Sequence, residues 1–204
     1  MIFVNWTAQP VTDNPGTKGQ FVMNLTPAIF LDRDNTVTID EGNTFEIEKF
    51  QWVRGAPLAL SAFKKEGIPV FIVTNQGGIG RGLFSEEQMH AFHDKLLTEA
   101  HFIGAEIKDI AFCPHHPLAV SEELRTPCKC RKPKPGMILA LAEKWQIDLN
   151  QSLVIGDKQS DVRAGQAVGC ASFLASPEQS LLDVSRAALA EANMLDKLPT
   201  KGVI

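Results

Sequence analysis

The stretch Ala28-Ile29-Phe30-Leu31-Asp32-Arg33-Asp34-Asn35-Thr36 decides how the rest of the chain is read. Its four leading apolar residues fit a strand buried on both faces, as in a parallel sheet covered by helices. The run stops at two carboxylates one residue apart, and Asn35 and Thr36 then favour a turn. Ligands of open α/β sheets sit outside the carboxyl ends of the strands. Two acids placed there can share a hard cation such as Mg²⁺, and one can attack phosphorus while the other moves a proton. A strand that merely ends in a polar turn reads the same over so short a stretch, so the rest of the chain has to separate the two.

Working outward, strands and helices alternate. Residues 68–73 read as a second buried strand, closing on Thr74-Asn75-Gln76-Gly77-Gly78. Pro57 suits the first turn of a helix over 56–66 that Gly67 ends. Ser85-Glu86-Glu87-Gln88 is a capping box for a helix running to about residue 102. His90, His93 and His101, on or near it, read as ordinary surface or boundary histidines. Strands over 107–112, 152–155 and 170–174, a helix from Pro135-Gly136 to about residue 145, one ending near Gly169 and a last one over 187–195 complete the series. This order predicts an α/β fold with a doubly wound parallel sheet. Residues 38–51 form a polar flap over the first strand end. Residues 1–26 are turn-rich and read as an N-terminal arm to a single domain over 27–204.

With 204 residues there is room for one domain with a full core. A net charge of −4 makes no electrostatic case for nucleic acid or an anionic membrane. No apolar run reaches bilayer-spanning length, and the start Met1-Ile2-Phe3-Val4-Asn5-Trp6 lacks a basic region ahead of an apolar core. A cytoplasmic protein is therefore expected, acting as a monomer on a small molecule.

The polar endings of the strands differ in kind and suggest one shared site. The first gives Asp32 and Asp34, the second Thr74 and Asn75, and the fourth Asp157 after Gly156. Asp157 would complete an oxygen-rich cation site with Asp32 and Asp34. Asp161, one helical turn on, either supports that site or caps its helix. Gly77-Gly78 would let backbone N–H groups approach a phosphate, or is only a turn. Arg131-Lys132-Pro133-Lys134 concentrates positive charge ahead of a helix, and Lys158 adjoins Asp157. Phosphoryl transfer needs such cations because the transferred oxygens carry the transition-state charge; a solvated basic patch is the plainer alternative.

The 113–134 insertion carries a second signal. Cys113-Pro114-His115 and Cys128-Lys129-Cys130 together offer three thiols and an imidazole, a tetrahedral Zn²⁺ set with no open position. Such a zinc would be structural, pinning a loop of little apolar content. His115 is preferred to the adjacent His116, though spacing hardly separates them, and disulfide pairing remains the alternative in an oxidising compartment. Cys170, in an apolar strand, reads as a core residue.

Taken together, Asp32-x-Asp34-x-Thr36, Thr74, Lys132 and Gly156-Asp157-x-x-x-Asp161 resemble the haloacid dehalogenase (HAD) superfamily of aspartyl-phosphate phosphatases. Within it the chain is similar to the D-glycero-D-manno-heptose 1,7-bisphosphate phosphatase group, close kin of the histidinol-phosphate phosphatases. The strings that carry this are Phe30-Leu31-Asp32-Arg33-Asp34, Thr74-Asn75-Gln76-x-Gly78-Ile79-x-Arg81-Gly82, Cys113-Pro114-His115-His116-Pro117, Cys128-x-Cys130-Arg131-Lys132-Pro133 and Gly156-Asp157-Lys158, spanning about residues 27–175.

The resemblance implies a Rossmann-like HAD core in which the zinc loop replaces a large cap domain. It implies Asp32 as nucleophile and Asp34 as the acid that protonates the leaving sugar oxygen and then activates water. Mg²⁺ would be held by Asp32, Asp157 and the backbone carbonyl of Asp34, with Thr74 and Lys132 stabilising the phosphoryl group. Substrate contacts would come from Asp40, Glu41, Gly42, Asn43, Asn75, Gln76, Gly77, Arg131 and Lys158, and Arg81 favours the heptose group over the histidinol group. The implied reaction removes the 7-phosphate of a heptose 1,7-bisphosphate on the way to nucleotide-activated heptose for lipopolysaccharide or another surface glycan. The same chemistry on histidinol phosphate, and a catalytically silent zinc-stabilised binding module, are the other readings. Three positions depart from the pattern: Asn35 replaces the usual Gly, Gly77 stands where Ser is usual, and Asn43 where an aromatic is common.

Overall fold

Side chains along the first strand, β1 (Ile29–Leu31), alternate between two separate cores, because successive residues of a strand point to opposite faces. Ile29 and Leu31 join Val70, Ile72, Leu153 and Ile155 on one face, while Phe30 joins Phe71, Val73 and Val154 on the other. The strand is thus apolar at every position, the pattern of a sheet covered on both sides. In this computed structural model, which describes residues 25–192, β1 is the middle of five parallel strands. The others are β2 (Val70–Asn75), β3 (Asp109–Cys113), β4 (Leu153–Gly156) and β5 (Ala171–Leu174), in the order β3-β2-β1-β4-β5. Phe30 lies opposite Phe71 on one side and Val154 on the other.

Helices α1 (Ala56–Lys65), α3 (Glu86–Phe102) and α7 (Leu181–Glu191) cover the first face with Leu60, Phe63, Leu96, Ala100, Val184 and Ala188. Helices α5 (Gly136–Trp145) and α6 (Gln159–Gln166) cover the second with Met137, Ile138, Leu141 and Ala164. Each wholly buried Leu, Ile or Phe here contributes about 1.5–3 kcal/mol. The expected helix signals are present. Gly67 takes φ +73° after α1, and at α3 Ser85 Oγ accepts from Gln88 N while Ser85 N donates to Gln88 Oε1.

Two elements correct the sequence reading. The last helix begins at Leu181, six residues before the expected 187, because Ser180 caps it by accepting from the backbone N–H of Asp183 at 3.2 Å. Its apolar residues Leu181, Val184 and Ala188 then follow the helical period against α1. Residues 77–80 form a short helix, α2 (Gly77–Gly80), where a glycine turn was one of the readings; α4 (Glu122–Arg125) adds a second short helix inside the insertion. The flap is a loop with one 3-10 turn over Ile47–Lys49, tied down by bridges from Thr38 to Asp34 and to Trp52. Residues 1–24 of the expected arm and the end of the expected last helix lie outside the described residues. Among those described, no helix is long and apolar enough to cross a membrane.

Candidate active site

In the order β3-β2-β1-β4-β5 the direction of winding reverses between β1 and β4, and a parallel sheet opens its ligand crevice at such a point. Asp32 leaves the end of β1 and Asp157 the end of β4, so both acids fall at this crevice. Lys132 enters from the loop before α5. Its ammonium donates to Asp32 Oδ1 at 2.7 Å and to the Val73 carbonyl at 2.6 Å, and lies 2.7 Å from Asp161 Oδ1. Burial pulls the pKa of this amine down, yet the carboxylates of Asp32 and Asp161 outweigh it and raise the pKa above its usual value. Lys132 is therefore a permanent buried cation, held between the two acids it pairs with.

Asp161 fills both of the roles left open for it. It pairs with Lys132, and its Oδ2 accepts from the backbone N–H of Lys158 at 2.9 Å at the start of α6. Only glycine at 156 permits this, since a Cβ there would stand 2.4 Å from that of Asp161. Asp157 is less well satisfied: its Oδ1 is buried with no hydrogen-bond partner. Burial and the neighbouring Asp32 push its carboxyl up to about 6. One oxygen each of Asp32, Asp157 and Asp161 lies within 4.8 Å of the others. A buried carboxylate oxygen without a partner is costly, and a hard cation among three carboxylates would satisfy it. Magnesium fits this donor set.

Asp34 is engaged elsewhere. Its Oδ1 accepts from Arg33 Nε at 2.7 Å and its Oδ2 from Gln76 Nε2 at 2.9 Å, while Gln76 Nε2 also donates to Thr74 Oγ1 at 2.7 Å. Burial raises the Asp34 pKa, Arg33 opposes, and Asp32 and Asp40 reinforce it. The Asp34 side chain thus stands apart from the carboxylate cluster, where Asp161 rather than Asp34 is the third member.

Of these groups, Asp34, Gln76 and Lys132 line a cavity of about 380 Å³. Asn75, Gly77, Arg81, Arg131 and Lys158 share its wall, with Asp40 and Asn43 contributed by the flap. Asn75 Nδ2 donates to the Lys132 carbonyl and Asn75 Oδ1 accepts from the Lys132 N–H, which fixes the lysine loop against β2. Arg131 donates to the His115 carbonyl at 3.0 Å, and Arg81 to Asn43 Oδ1 at 2.5 Å. Glu41 and Gly42 are exposed on the flap and do not line the cavity.

The insertion gathers its thiols as its spacing suggested. Cys113, His115, Cys128 and Cys130 bring one donor atom each within 4.8 Å of the others. Cys113 Sγ stands 3.7 Å from Cys128 Sγ and 3.0 Å from Cys130 Sγ, and His115 Nδ1 is 3.4 Å from Cys130 Sγ. Tetrahedral zinc with Zn–S bonds of about 2.3 Å requires sulfurs about 3.8 Å apart, whereas a disulfide requires about 2.05 Å. Such a set could hold a metal. It selects His115, because His116 Nδ1 accepts from the Leu118 N–H and its ring lines the cavity instead. Cys170 is a core thiol that burial pushes up to about 12.

Comparisons with known proteins agree with this geometry. Residues 129–195 match the model of a HAD-hydrolase-like family. A protein of Rhodopseudomonas palustris named D-glycero-beta-D-manno-heptose-1,7-bisphosphate 7-phosphatase is 41% identical over 170 residues, 80% of this chain and 94% of that one. Its namesake from Escherichia coli K12 is 40% identical over 69% of this chain and 74% of its own. Among solved structures, the D,D-heptose 1,7-bisphosphate phosphatase of B. bronchiseptica, complexed with magnesium and phosphate, is similar with a TM-score of 0.71 at 29% identity, covering 81% of this chain and 99% of that one. The chain belongs to this HAD phosphatase family.

Within the family pattern, the departures find local explanations. Asn35 takes φ +59°, a left-handed conformation that Asn tolerates, and its Oδ1 accepts from the Asp40 N–H at 2.9 Å. Gly77 makes room at the cavity wall, where a Cβ would lie 2.9 Å from His116 Cδ2 and 3.0 Å from Arg131 Nη1. Asn43, at φ +70°, carries the acceptor for Arg81. Sequence reasoning did not assign His116 and Ser160 to the cavity wall, nor Arg33 to any role. His116 follows a candidate zinc ligand, the one signal that could have pointed to it.

Proposed function

We propose that this protein is a Mg²⁺-dependent phosphatase that hydrolyses the 7-phosphate of D-glycero-D-manno-heptose 1,7-bisphosphate through an aspartyl-phosphate intermediate. The observation that carries the reading is the distribution of cations. Lys132 sits on Asp32 at the reacting end, and Arg81, Arg131 and Lys158 stand around the same cavity with no role in that pair. A monoester needs one cationic cluster; a bisphosphate needs a second for the phosphate that stays.

In this reading Asp32 attacks phosphorus, the ester P–O bond breaks, and the departing sugar oxygen takes the proton of Asp34. Asp34 then takes a proton from water as the water oxygen attacks the phospho-aspartate. The P–O bond to Asp32 breaks and phosphate leaves. Thr74 and Lys132 hold the phosphoryl oxygens, while Asn75, Gln76, Gly77 and the Asp40–Asn43 flap shape the sugar subsite. Asp32, Asp157 and the backbone of Asp34, beside the third carboxylate Asp161, would hold magnesium, which would supply charge neutralisation for the incoming phosphoryl group. Cys113, His115, Cys128 and Cys130 would hold a structural zinc. The single domain over 27–204, preceded by an arm over 1–26, would act in the cytoplasm as a monomer on the route to nucleotide-activated heptose.

Phosphate release with Mg²⁺, measured on both anomers of heptose 1,7-bisphosphate, histidinol phosphate and hexose monophosphates, tests the reading. A strong preference for one heptose bisphosphate anomer is expected. Preference for histidinol phosphate would retain the chemistry and reject the substrate, and no release from any would reject the enzyme.

A further inference from the structure

Arg33 lies between the two reacting acids in sequence, and its side chain is entirely buried. A buried guanidinium is costly unless its donors find acceptors. Here they come from four separate segments. Nε donates to Asp34 Oδ1 at 2.7 Å, and Nη1 faces His93 Nε2 at 3.2 Å. Nη2 donates to the Thr44 carbonyl at 3.1 Å and to Gln76 Oε1 at 3.2 Å. The ring of Phe92 lies 4.8 Å from Cζ, a cation–π contact from the same turn of α3 as His93. Among these partners the one counter-charge is Asp34.

Gln76 closes the circuit. It accepts from Arg33 through Oε1 and donates through Nε2 to Asp34 Oδ2. Each oxygen of Asp34 is thereby held by a group that is itself anchored elsewhere. His93 Nε2 faces an N–H donor, so it accepts, and its proton belongs on Nδ1. A protonated ring would set two cations against each other; burial, then Arg33 and His90, hold the His93 pKa at about 3 and keep the ring neutral.

We propose that Arg33, seated on His93, Phe92 and Gln76, is the positioning residue for Asp34. It fixes the direction in which Asp34 gives its proton to the leaving oxygen and later takes one from water. This inference rests on the assignment of Asp34 as the acid. A buried cation of this kind can also be purely a matter of folding, and a comparison of leaving groups separates the two roles. A nitrophenyl ester expels nitrophenolate without a proton, whereas a sugar phosphate expels an alkoxide that needs one.

The test uses the full chain with Mg²⁺, as Arg33→Met, His93→Leu, His93→Gln and, for reference, Asp34→Asn. Folding is checked by thermal unfolding. Rapid-quench kinetics follow the first turnover on both esters. For His93→Leu and Arg33→Met, the first-turnover rate on the sugar phosphate falls about 10- to 100-fold, within the usual worth of acid catalysis, with KM nearly unchanged. The nitrophenolate burst stays within about threefold of wild type, because that step takes no proton from Asp34. His93→Gln, which keeps an acceptor for Nη1, recovers most of the loss. If Arg33→Met does not fold, the two His93 variants decide. Equal losses on both esters, or none, would overturn the proposal. If Asp34→Asn itself fails to discriminate between the esters, the acid assignment falls. Discrimination by Asp34→Asn alone would overturn only the positioning role.

Discussion

Among the described residues, the two clusters that could hold a metal are built in opposite ways. Asp32 and Asp157 follow the buried strands β1 and β4, and Asp161 lies in the first turn of α6. Their placement follows from the packing of the sheet, and Lys132 already pairs with two of them. Of the thiol cluster, Cys113 alone is anchored on a strand, while His115, Cys128 and Cys130 sit in a loop whose Leu118 and Val120 are 76% and 74% exposed. Cys128 and Cys130 touch the second core, but the outer part of the loop has little apolar packing, so its convergence depends on what the four donors bind. The difference predicts that the first cluster tolerates loss of its metal and the second does not. Yet the two are joined by one run of chain. Cys130 belongs to the thiol cluster, Arg131 lines the cavity, and Lys132 bonds Asp32.

The largest expected effect isolates the strand-tip cluster. Asp32→Asn should lower kcat by on the order of 10⁴-fold or more, while circular dichroism shows the fold intact; normal turnover would remove Asp32 from the chemistry. The converse experiment disturbs the thiol cluster proposed to hold zinc. Cys128→Ser should reduce zinc retention at least about tenfold, broaden thermal unfolding and raise KM through Arg131. Unchanged KM and melting would mean the loop holds itself together.

A third experiment sharpens the contrast through pH. The folded pKa of His93 is about 3 against an ordinary 6.5, with Arg33 and His90 the charged groups facing it. Between these values the unfolded chain binds a proton that the folded chain excludes. Its contribution to stability is therefore full above about pH 6.5 and is lost as the pH falls toward 3. At pH 5 the loss is about 2 kcal/mol. Denaturant titrations should find His93→Gln less acid-sensitive than wild type by this margin. The smallest effect is at the turn: Asn35→Ala should cost about 1 kcal/mol at φ +59°, and Asn35→Gly much less.

What the sequence made legible follows the range of the physics involved. The acids at strand ends, the Ser85 capping box and the thiol spacing are local signals, and the structure repeats them. Arg33 was opaque because a charged residue between two acids reads as solvated. Its partners Thr44, Gln76 and His93 lie 11, 43 and 60 residues away. The glycines at 77 and 78 suit a turn as well as a helix, and their burial against His116 and Phe84 is a tertiary fact. His115 and His116 became distinguishable only when the loop placed one among the thiols and the other on the cavity wall.

In the proposed mechanism Asp32 carries the phosphoryl group. Acid-quenching the enzyme milliseconds after mixing with heptose 1,7-bisphosphate and Mg²⁺, followed by peptide mass spectrometry, tests it directly. One phosphoryl group on Asp32 is expected, sensitive to hydroxylamine and lost in Asp32→Asn. Turnover with no phosphoryl-enzyme, or with the group on another residue, would contradict it.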